Sequence, residues 1–290
     1  MDRIEDMKMI KFAAVGFTCI DVYKNLNFRY PTGNGVDMMF NLQDMTPDLD
    51  CALVTAVGDD ANGSLLLDAC KRRNVNTDHV TIVPGGSTAE IQMLLNGKDR
   101  VHHKADKGVM IPYQPNGADM DFIRGQDYIH TDLSWNVVDL LADMRRDGAK
   151  VYFDFSKRYQ HPDVDRVLKN IDFGIFSFEE ETEEVRELLM HGCGLGARVL
   201  LATFGERGSL ACDGRQFYHQ ACIPARKLVN TVGAGDSYGC GFISGVMAGC
   251  SVEECMRRGA KKSAEIVSIF EPYPMRNDEV SFERRDESGH

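Results

Sequence analysis

The residues best suited to chemistry lie near the C-terminus, where positions 230–236 read NTVGAGD. Gly233, Ala234 and Gly235 offer consecutive backbone N–H groups with little side-chain bulk, and the residues that follow favour a helix. Free N–H groups at the positive end of a helix attract anions such as phosphate. We therefore predict that these three residues form an anion hole.

Asp236 follows this hole directly, so its carboxylate would lie close to any bound anion. A carboxylate beside an anion is electrostatically unfavourable unless the chemistry needs it there. One such use is as a base that takes a proton from a hydroxyl attacking phosphorus, while the N–H groups stabilise charge on the transferring phosphoryl group. The structural alternative is that the glycines form a turn and Asp236 caps the helix.

Downstream of this motif, Gly241, Gly245 and Gly249 recur every four residues among apolar side chains. Each glycine costs a helix about 1 kcal/mol relative to alanine, so a compensating contact is expected. We predict a buried helix whose glycine face packs closely against a strand or a neighbouring helix.

Elements that would position these residues are predicted along most of the chain. Five short apolar runs are typical of strands buried on both faces: residues 11–20, 51–57, 150–155, 172–176 and 198–203. Three segments between them show apolar residues at helical spacing: residues 62–73, 135–146 and 182–190. Strands that alternate with helices predict a mostly parallel sheet covered on both faces.

Two segments depart from this alternation. Residues 88–95 alternate between apolar and polar side chains and are followed by an Asn-Gly pair, which predicts a β-hairpin. Residues 21–30 alternate more weakly. We expect a small antiparallel sheet, built from about residues 22–34 and 87–110, that forms a lid over the carboxyl ends of the main strands.

Composition and charge exclude several classes of function. The chain has 290 residues with 33 Lys and Arg against 44 Asp and Glu, a net charge of -11. This balance argues against a surface that grips nucleic acid or anionic lipid, although a local pocket could still hold an anion. No run of about 18 apolar residues occurs, and the first residues lack the apolar stretch of a signal peptide. We expect neither a nucleic-acid partner nor a membrane partner.

The number and spacing of the cysteines indicate the cellular compartment of the protein. There are 9, an odd number, and no two are spaced as Cys-x-x-Cys. This usage is typical of buried, reduced thiols and not of a disulfide framework or a zinc site. The sequence therefore predicts a cytoplasmic protein.

Residues 230–245 resemble the C-terminal signature of the pfkB-type, ribokinase-like carbohydrate kinases. Other stretches agree with that family in the same order along the chain: 32–34 (TGN), 57–60 (VGDD) and 203–208 (TFGERG). The resemblance spans about residues 10–272. It implies a three-layer α/β/α fold with a mostly parallel sheet and a small β-sheet lid, in a kinase domain at 8–275. The polar tail at 276–290 is expected to be flexible.

The resemblance assigns roles on the nucleotide side of the expected site. Asp236 matches the family's catalytic base, and Gly233, Ala234 and Gly235 match its anion hole. Three residues match a strand-to-turn element that lines the ATP site: Thr203, Gly205 and Gly208. ATP and Mg²⁺ are the cofactors that the family implies.

On the substrate side, Asp21 is expected at the end of the first strand and matches the acid that hydrogen-bonds sugar hydroxyls in these kinases. Gly33 and Asn34 match the turn that contacts the sugar, and Arg100 is a further candidate contact. Asp37 stands where the commoner pattern has Asn, and an acid at this position suits a substrate that carries an amine.

Two other positions also depart from the family pattern. Thr32 stands where Gly is commoner, so the sugar contacts are expected to differ from those of ribokinase. Phe178 replaces the Asn of an Asn-x-x-Glu element that organises magnesium through water, and Glu181 matches its Glu. Glu181 is the candidate metal residue, with Glu180 as second choice, whereas the other acids nearby fit a solvated helix start.

Within the family, residues 99–101, 107–110 and 153–156 are most similar to kinases of fructoselysine. The resemblance thus implies transfer of the γ-phosphoryl group of MgATP to a primary hydroxyl, at position 6 of fructoselysine or a related fructosamine. Two alternatives stay open: a ribokinase, fructokinase or nucleoside kinase of the same family, and a non-catalytic nucleotide- or sugar-binding sensor. Exposed lid strands could pair across a two-fold axis, which makes a homodimer through the lid a hypothesis.

Overall fold

A computed structural model describes residues 9–46, 48–96, 99–276 and 281–282, with the backbone alone at 95–96, 99–102 and 281–282. The strands in these ranges are β1 (Ile10–Val15), β2 (Cys19–Tyr23), β3 (Phe28–Thr32), β4 (Leu49–Gly58), β5 (Val80–Val83), β6 (Glu90–Asn96), β7 (Asp99–Asp106), β8 (Tyr128–Asp132), β9 (Lys150–Ser156), β10 (Phe173–Ser177), β11 (Val199–Thr203), β12 (Ser209–Cys212), β13 (Phe217–Gln220) and β14 (Ser281–Phe282). The helices are α1 (Asn34–Met45), α2 (Ala61–Arg72), α3 (Gly117–Arg124), α4 (Leu141–Met144), α5 (Val164–Leu168), α6 (Glu183–Leu195), α7 (Ala234–Met247) and α8 (Val252–Ile266).

Nine of these strands form the larger sheet, in the order β13-β12-β11-β10-β9-β8-β1-β4-β5. The pairs from β11 to β5 are parallel, and β12 and β13 add an antiparallel edge. The predicted strands at 51–57, 150–155, 172–176 and 198–203 are confirmed as β4, β9, β10 and β11. Their apolar runs are buried because helices cover both faces of a parallel sheet.

The core lies on both faces of this sheet, which gives the three layers that were predicted. One cluster packs α3, α4, α5 and α6 against the sheet, through residues such as Phe153 and Leu200. The other packs α1, α2, α7 and α8 against the opposite face, through residues such as Phe12 and Phe242. The carboxyl ends of β8, β9, β10 and β11 are consequently held at one edge, where ligands of α/β sheets bind.

The predicted strand at 11–20 was wrong in its extent. β1 ends at Val15, and Gly16 turns the chain with φ 118°. A Cβ at Gly16 would lie 1.9 Å from the indole nitrogen of Trp135, so both the angle and the space require glycine. Cys19 and Ile20 consequently belong to β2, in a different sheet.

The predicted helix at 135–146 is also shorter in the structure, where only α4 and a preceding 3₁₀ turn at Val138–Leu140 are helical. Trp135 does not begin a helix. Its indole donates a hydrogen bond to Thr131 at 3.0 Å and fills the space beside Gly16. This tertiary contact overrides the helical periodicity.

The smaller sheet has the order β14-β3-β2-β6-β7. The segments for which a lid was predicted supply β3, β6, β7 and part of β2, and β6 and β7 pair antiparallel as a hairpin. Lys107, just after β7, donates a hydrogen bond to the Ser134 carbonyl beyond the end of β8 at 2.8 Å. The smaller sheet is thereby joined to the carboxyl edge of the larger one.

The C-terminal tail lies largely outside the described residues, so the prediction that it is flexible stays a prediction. Ser281 and Phe282 are described as β14, which pairs with β3. In the ranges that the structure covers, no helix is both long and apolar enough to cross a membrane.

Candidate active site

The N-terminus of α7 is built by a glycine in a left-handed conformation. Gly233 has φ 75° and precedes the first helical residue, Ala234. A Cβ at Gly233 would lie 2.7 Å from the Cβ of Pro272, so the backbone angle and the packing both exclude a side chain. Asp236 consequently sits in the first turn of the helix, as the sequence predicted.

Backbone donors at this helix end are available to an anion. Among the described residues, the N–H groups of Gly233, Gly235 and Asp236 have no hydrogen-bond acceptor, whereas the N–H of Ala234 donates to the Thr231 carbonyl at 3.3 Å. The predicted hole therefore has two free donors from Gly233 and Gly235, a third from Asp236 that was not predicted, and one weakly engaged. Free N–H groups at a helix N-terminus are the donors that phosphate binding uses.

A cavity of about 540 Å³ opens beside this helix end. Its lining includes Ala234 together with Thr203, Gly205 and Gly208, the residues predicted to bind ATP. Two further walls were not predicted, and they come from the segment after β13 and from α8 with the residue that follows it: Ile223, Leu228, Ala260, Ser263, Ala264 and Val267. The signal that could have found the α8 wall is its small residues at positions 260, 263 and 264, which share one helix face.

The two glycines after β11 shape the floor of this cavity in different ways. Gly205 has φ 58° with no atom within 4 Å of a built Cβ, so its backbone faces open space. Gly208 has φ 92°, and a Cβ there would lie 2.4 Å from the Gln220 carbonyl oxygen. Thr203, at the end of β11, places its hydroxyl 3.5 Å from that of Ser177 at the end of β10.

Two carboxyl groups meet under the N-terminus of α7. Asp154 in β9 is buried, and its carboxyl group is close enough to that of the half-buried Asp236 for each to affect the pKa of the other. Burial, opposed by hydrogen bonds from Ser156, raises the pKa of Asp154 to about 6. Burial, followed by the charge of Asp154, raises the pKa of Asp236 well above its usual value.

The residues predicted on the substrate side form a second group of acids. Asp21 lies within β2 and not at the end of the first strand, and the Tyr30 hydroxyl donates to it at 3.5 Å. Asp37, in the first turn of α1, accepts both of its carboxylate hydrogen bonds from the Thr32 hydroxyl, at 2.9 and 2.8 Å. Burial and the charge of Asp21 raise the pKa of Asp37, although Thr32 opposes the shift.

These acids are close enough to act on one another electrostatically. The charges of Asp21, Asp37 and Asp132 all raise the pKa of the buried Cys19 thiol, after burial itself. The charge of Asp37 also raises the pKa of Asp236. The predicted base and the predicted substrate acids thus share one region at the carboxyl edge of the sheet.

Gly33 and Asn34 lie at the start of α1, between the two sheets. Gly33 has φ 118°, and a Cβ there would lie 2.8 Å from the Phe17 carbonyl oxygen. Asn34 is the first residue of the helix. Arg100 lies in β7, but its side chain is outside the described part of the structure, so its predicted contact stays a prediction.

The candidate metal residue is held in an ion pair. The carboxylate of Glu181 accepts a hydrogen bond from Arg186 and lies 3.3 Å from a ring nitrogen of His219. Phe178 packs its ring 4.7 Å from that of Tyr159. Within the ranges described, no group of three His, Cys, Asp or Glu side chains is arranged to hold a metal ion.

Comparison with known proteins decides the family. The model of the pfkB family of carbohydrate kinases matches residues 165–274. Fructoselysine 6-kinase of Shigella flexneri is 30% identical over 259 residues, which cover 89% of this chain and 98% of that protein. The chain belongs to the pfkB family of carbohydrate kinases. It is therefore a phosphotransferase that acts on a sugar hydroxyl.

Other relatives of this pfkB kinase agree. A fructosamine kinase of Bacillus subtilis is 26% identical over 90% of this chain and 92% of its own length. Ribokinase of Arabidopsis thaliana, solved with ribose and ATP, superposes with a TM-score of 0.75 at 19% identity, covering 91% of this chain and 94% of that one. Ribokinase of Thermotoga maritima gives a TM-score of 0.78 at 16% identity, covering 91% and 96%. These structures confirm the ribokinase-like fold.

Proposed function

We propose that this kinase transfers the γ-phosphoryl group of MgATP to a primary hydroxyl of a fructosamine, with the 6-hydroxyl of fructoselysine as the favoured acceptor. The observation that carries this proposal is the position of Asp236. It follows the free N–H donors and Ala234, which lines the nucleotide-sized cavity, and it is close enough to Asp37 for the charge of that acid to raise its pKa. The names of the relatives support the substrate class.

The residues around the cavity fit ATP. Apolar side chains of Ile223, Leu228 and Val267 provide a surface for a flat base. The small residues Gly205 and Gly208 leave room where the chain turns at the end of a strand. The phosphates would then extend toward Gly233 and Gly235, whose N–H groups are free.

Magnesium would supply charge neutralisation on the phosphates. This cation is usually held by one or two carboxylates together with phosphate and water. The described residues hold no ready-made cluster of three ligands, which fits a metal that arrives with ATP. Glu181 is the proposed protein contact, acting through water, and it would have to leave its ion pair with Arg186 to do so.

Asp236 is the proposed base. It would take the proton of the sugar hydroxyl as that oxygen attacks the γ-phosphorus, while the N–H groups of Gly233 and Gly235 stabilise charge on the phosphoryl group. The raised pKa of Asp236 makes it a stronger base than an ordinary aspartate. A base whose pKa lies nearer to neutral pH is better matched to removing a hydroxyl proton.

On the substrate side, we propose that Asp21 accepts hydrogen bonds from sugar hydroxyls and that Gly33 and Asn34 contact the same ring. Asp37 would face the amine of the fructosamine. In the described structure Asp37 makes no ion pair with Lys, Arg or His, and its bonds come from the neutral Thr32. A protonated amine would supply the opposite charge that this buried carboxylate lacks.

A substrate panel and one variant test this function. With ATP and Mg²⁺, coupled detection of ADP should show a far higher kcat/KM for fructoselysine than for fructose, ribose or a nucleoside. Asp236→Asn should lower kcat by about 100-fold or more, the usual contribution of a general base. Preference for ribose, fructose or a nucleoside would show that the protein is instead a ribokinase, fructokinase or nucleoside kinase of the same family. Near-normal turnover by the variant would disprove the role of the base.

The smaller sheet is the proposed lid, which would close over the sugar and exclude water so that ATP is not hydrolysed. In the described residues β7 is an edge strand of this sheet, and two copies could pair there in a cytoplasmic homodimer. Sedimentation velocity over a range of concentrations would show a species of twice the chain mass.

A further inference from the structure

Asp154 is a buried carboxyl group to which the reaction as described gives no part. We propose that Asp154 is a positioning residue, whose carboxylate accepts a hydrogen bond from Asp236 once Asp236 has taken the proton of the sugar hydroxyl. This inference rests on the proposed role of Asp236 as the base.

The sheet places Asp154 directly under the start of α7. Its register partner in β8 is Asp132, and on the other side it pairs with Ile175 of β10. Tyr152, two residues earlier and on the same face of β9, reaches α7: a Cβ at Gly239 would lie 1.9 Å from its hydroxyl. This face of β9 therefore runs beneath the turn that carries Asp236.

A local backbone feature orients the carboxyl group of Asp154. Ser156 has φ 50°, a left-handed conformation that is uncommon for serine. In this conformation its N–H and hydroxyl both donate to Oδ1 of Asp154, at 2.6 and 3.1 Å. Because both bonds end on Oδ1, Oδ2 is the oxygen left to receive the proton of Asp236.

The charges around Asp236 raise its affinity for a proton. Asp236 is faced by Asp154, Asp37 and Asp132, and Asp154 is faced by Asp132. The cations Lys107 and Arg158 act on Asp132. Desolvation and like charge both raise a carboxyl pKa, so Asp236 binds the proton of the sugar hydroxyl more tightly than an ordinary aspartate would.

The reaction gives this arrangement a use. As the sugar oxygen bonds to the γ-phosphorus, its O–H bond breaks, and the bond from phosphorus to the ADP oxygen breaks as well. The proton passes to Asp236, which becomes a carboxylic acid. That acid donates a hydrogen bond to the Asp154 carboxylate. Asp154 therefore stabilises the reacting groups only once the proton has begun to move. An interaction made in the transition state affects kcat more than KM.

The test is the pH dependence of kcat/KM in Asp154→Asn, which removes the charge and keeps the shape. The acidic limb of the kcat/KM profile should lie about one pH unit lower than in the wild type, because a like charge beside Asp236 has been lost. At high pH, kcat should fall about tenfold, because the weaker base takes the proton less well. KM for both substrates should change by less than about twofold.

Asp132→Asn is the matched control, since Asp132 is the register partner of Asp154 but affects Asp236 less. Its acidic limb should move by a smaller amount. Asp154→Ser provides a second uncharged residue in case the amide does not fold. An unmoved acidic limb in a folded variant, or a rise in KM with kcat unchanged, would overturn the inference.

Ligand-free protein gives an independent measurement. The infrared band of protonated Asp236, assigned by its loss in Asp236→Asn, should appear at a higher pH in the wild type than in Asp154→Asn. Appearance at the same pH in both proteins would also overturn the inference. Failure here is distinct from failure of the proposed function: if Asp236→Asn is inactive while Asp154→Asn keeps the wild-type pH profile, only the role of Asp154 is wrong.

Discussion

At the scale of single residues, the site gathers acids where burial makes a negative charge costly. Asp37, Asp154 and Asp236 all have a raised pKa, and burial is the largest cause in each case. An acid whose pKa is higher in the folded than in the unfolded state stabilises the fold only while it is protonated. That contribution is present below the unfolded pKa and is lost as pH rises through the folded pKa.

Asp236→Asn should therefore be more stable than the wild type at pH 8, by about 1 kcal/mol, even though it is inactive. The gain should vanish toward pH 4, where the wild-type carboxyl is protonated. Urea unfolding of the ligand-free protein at a series of pH values measures this difference.

Asp172→Asn is the control for that experiment. Asp172 is buried as well, but its carboxylate is paired with Arg145 at 3.1 Å and Arg198 at 3.0 Å. Its loss should destabilise the protein at pH 8, because breaking a buried pair leaves charge uncompensated. Equal effects of the two substitutions would show that the charge of Asp236 carries no special cost.

At the scale of elements, the glycines of α7 explain how two helices approach closely. A Cβ at Gly241 would lie 2.5 Å from the Arg258 carbonyl oxygen, and one at Gly245 would lie 2.8 Å from the Cys255 sulfur. The predicted packing of a glycine face is confirmed for these two, and the partner is α8. Gly249 was wrongly included: it lies beyond the helix with φ 71°, which a glycine adopts without strain.

Gly241→Ala should destabilise the kinase by about 1–3 kcal/mol, because the methyl group meets backbone that cannot move aside. Gly194→Ala in α6 is the matched control, since a Cβ there meets nothing within 4 Å and the position is exposed. That substitution should stabilise by up to about 1 kcal/mol through helix propensity. Thermal unfolding compares the two, and a neutral Gly241→Ala would contradict the close packing.

At the scale of the whole molecule, the stretch after α8 connects the parts of the site. The Asn230 amide, just before the start of α7, donates to the Phe270 carbonyl at 2.8 Å. The ring of Phe270 packs 5.3 Å from that of Tyr23 in the smaller sheet. The Tyr273 hydroxyl donates to the Pro31 carbonyl at 2.5 Å. The start of α7 and the smaller sheet are thus linked through one segment.

Arg73 anchors this segment. Its guanidinium lies 4.3 Å from the centre of the Phe40 ring and donates to the Pro274 carbonyl at 2.7 Å. Arg73→Ala should cost about 2–3 kcal/mol of stability through the lost packing and hydrogen bonds. Arg73→Lys should recover only part of it, because lysine lacks the planar group.

Urea unfolding measures the stability lost in the Arg73 variants, with Lys71→Ala as the control. Lys71 is exposed near the end of α2, two residues before Arg73, so its loss should change stability by less than about 0.5 kcal/mol. Stability of Arg73→Ala within that same margin would show that the segment is held by other contacts.

The sequence determined the relative positions of residues that are neighbours along the chain. Gly233, Ala234, Gly235 and Asp236 are contiguous, so their relative positions follow from the start of one helix. The alternation of apolar runs with helical segments also determined the parallel sheet, because burial on both faces leaves a local signature. Thr203, Gly205 and Gly208 were assigned from the resemblance to the family, and the structure places them at a strand end and its turn.

Only the tertiary structure decided which distant residues meet. Asp154 and Asp236 lie on a strand and a helix far apart in the chain, and neither position reveals the other. The break at Gly16 depends on the Trp135 indole, and the α8 wall of the cavity depends on how closely α7 and α8 pack. Local patterns record the burial and backbone preference of each segment. Contacts between segments arise from the packing of the whole chain, and they determine both the shape of the cavity and the proton affinity of Asp236.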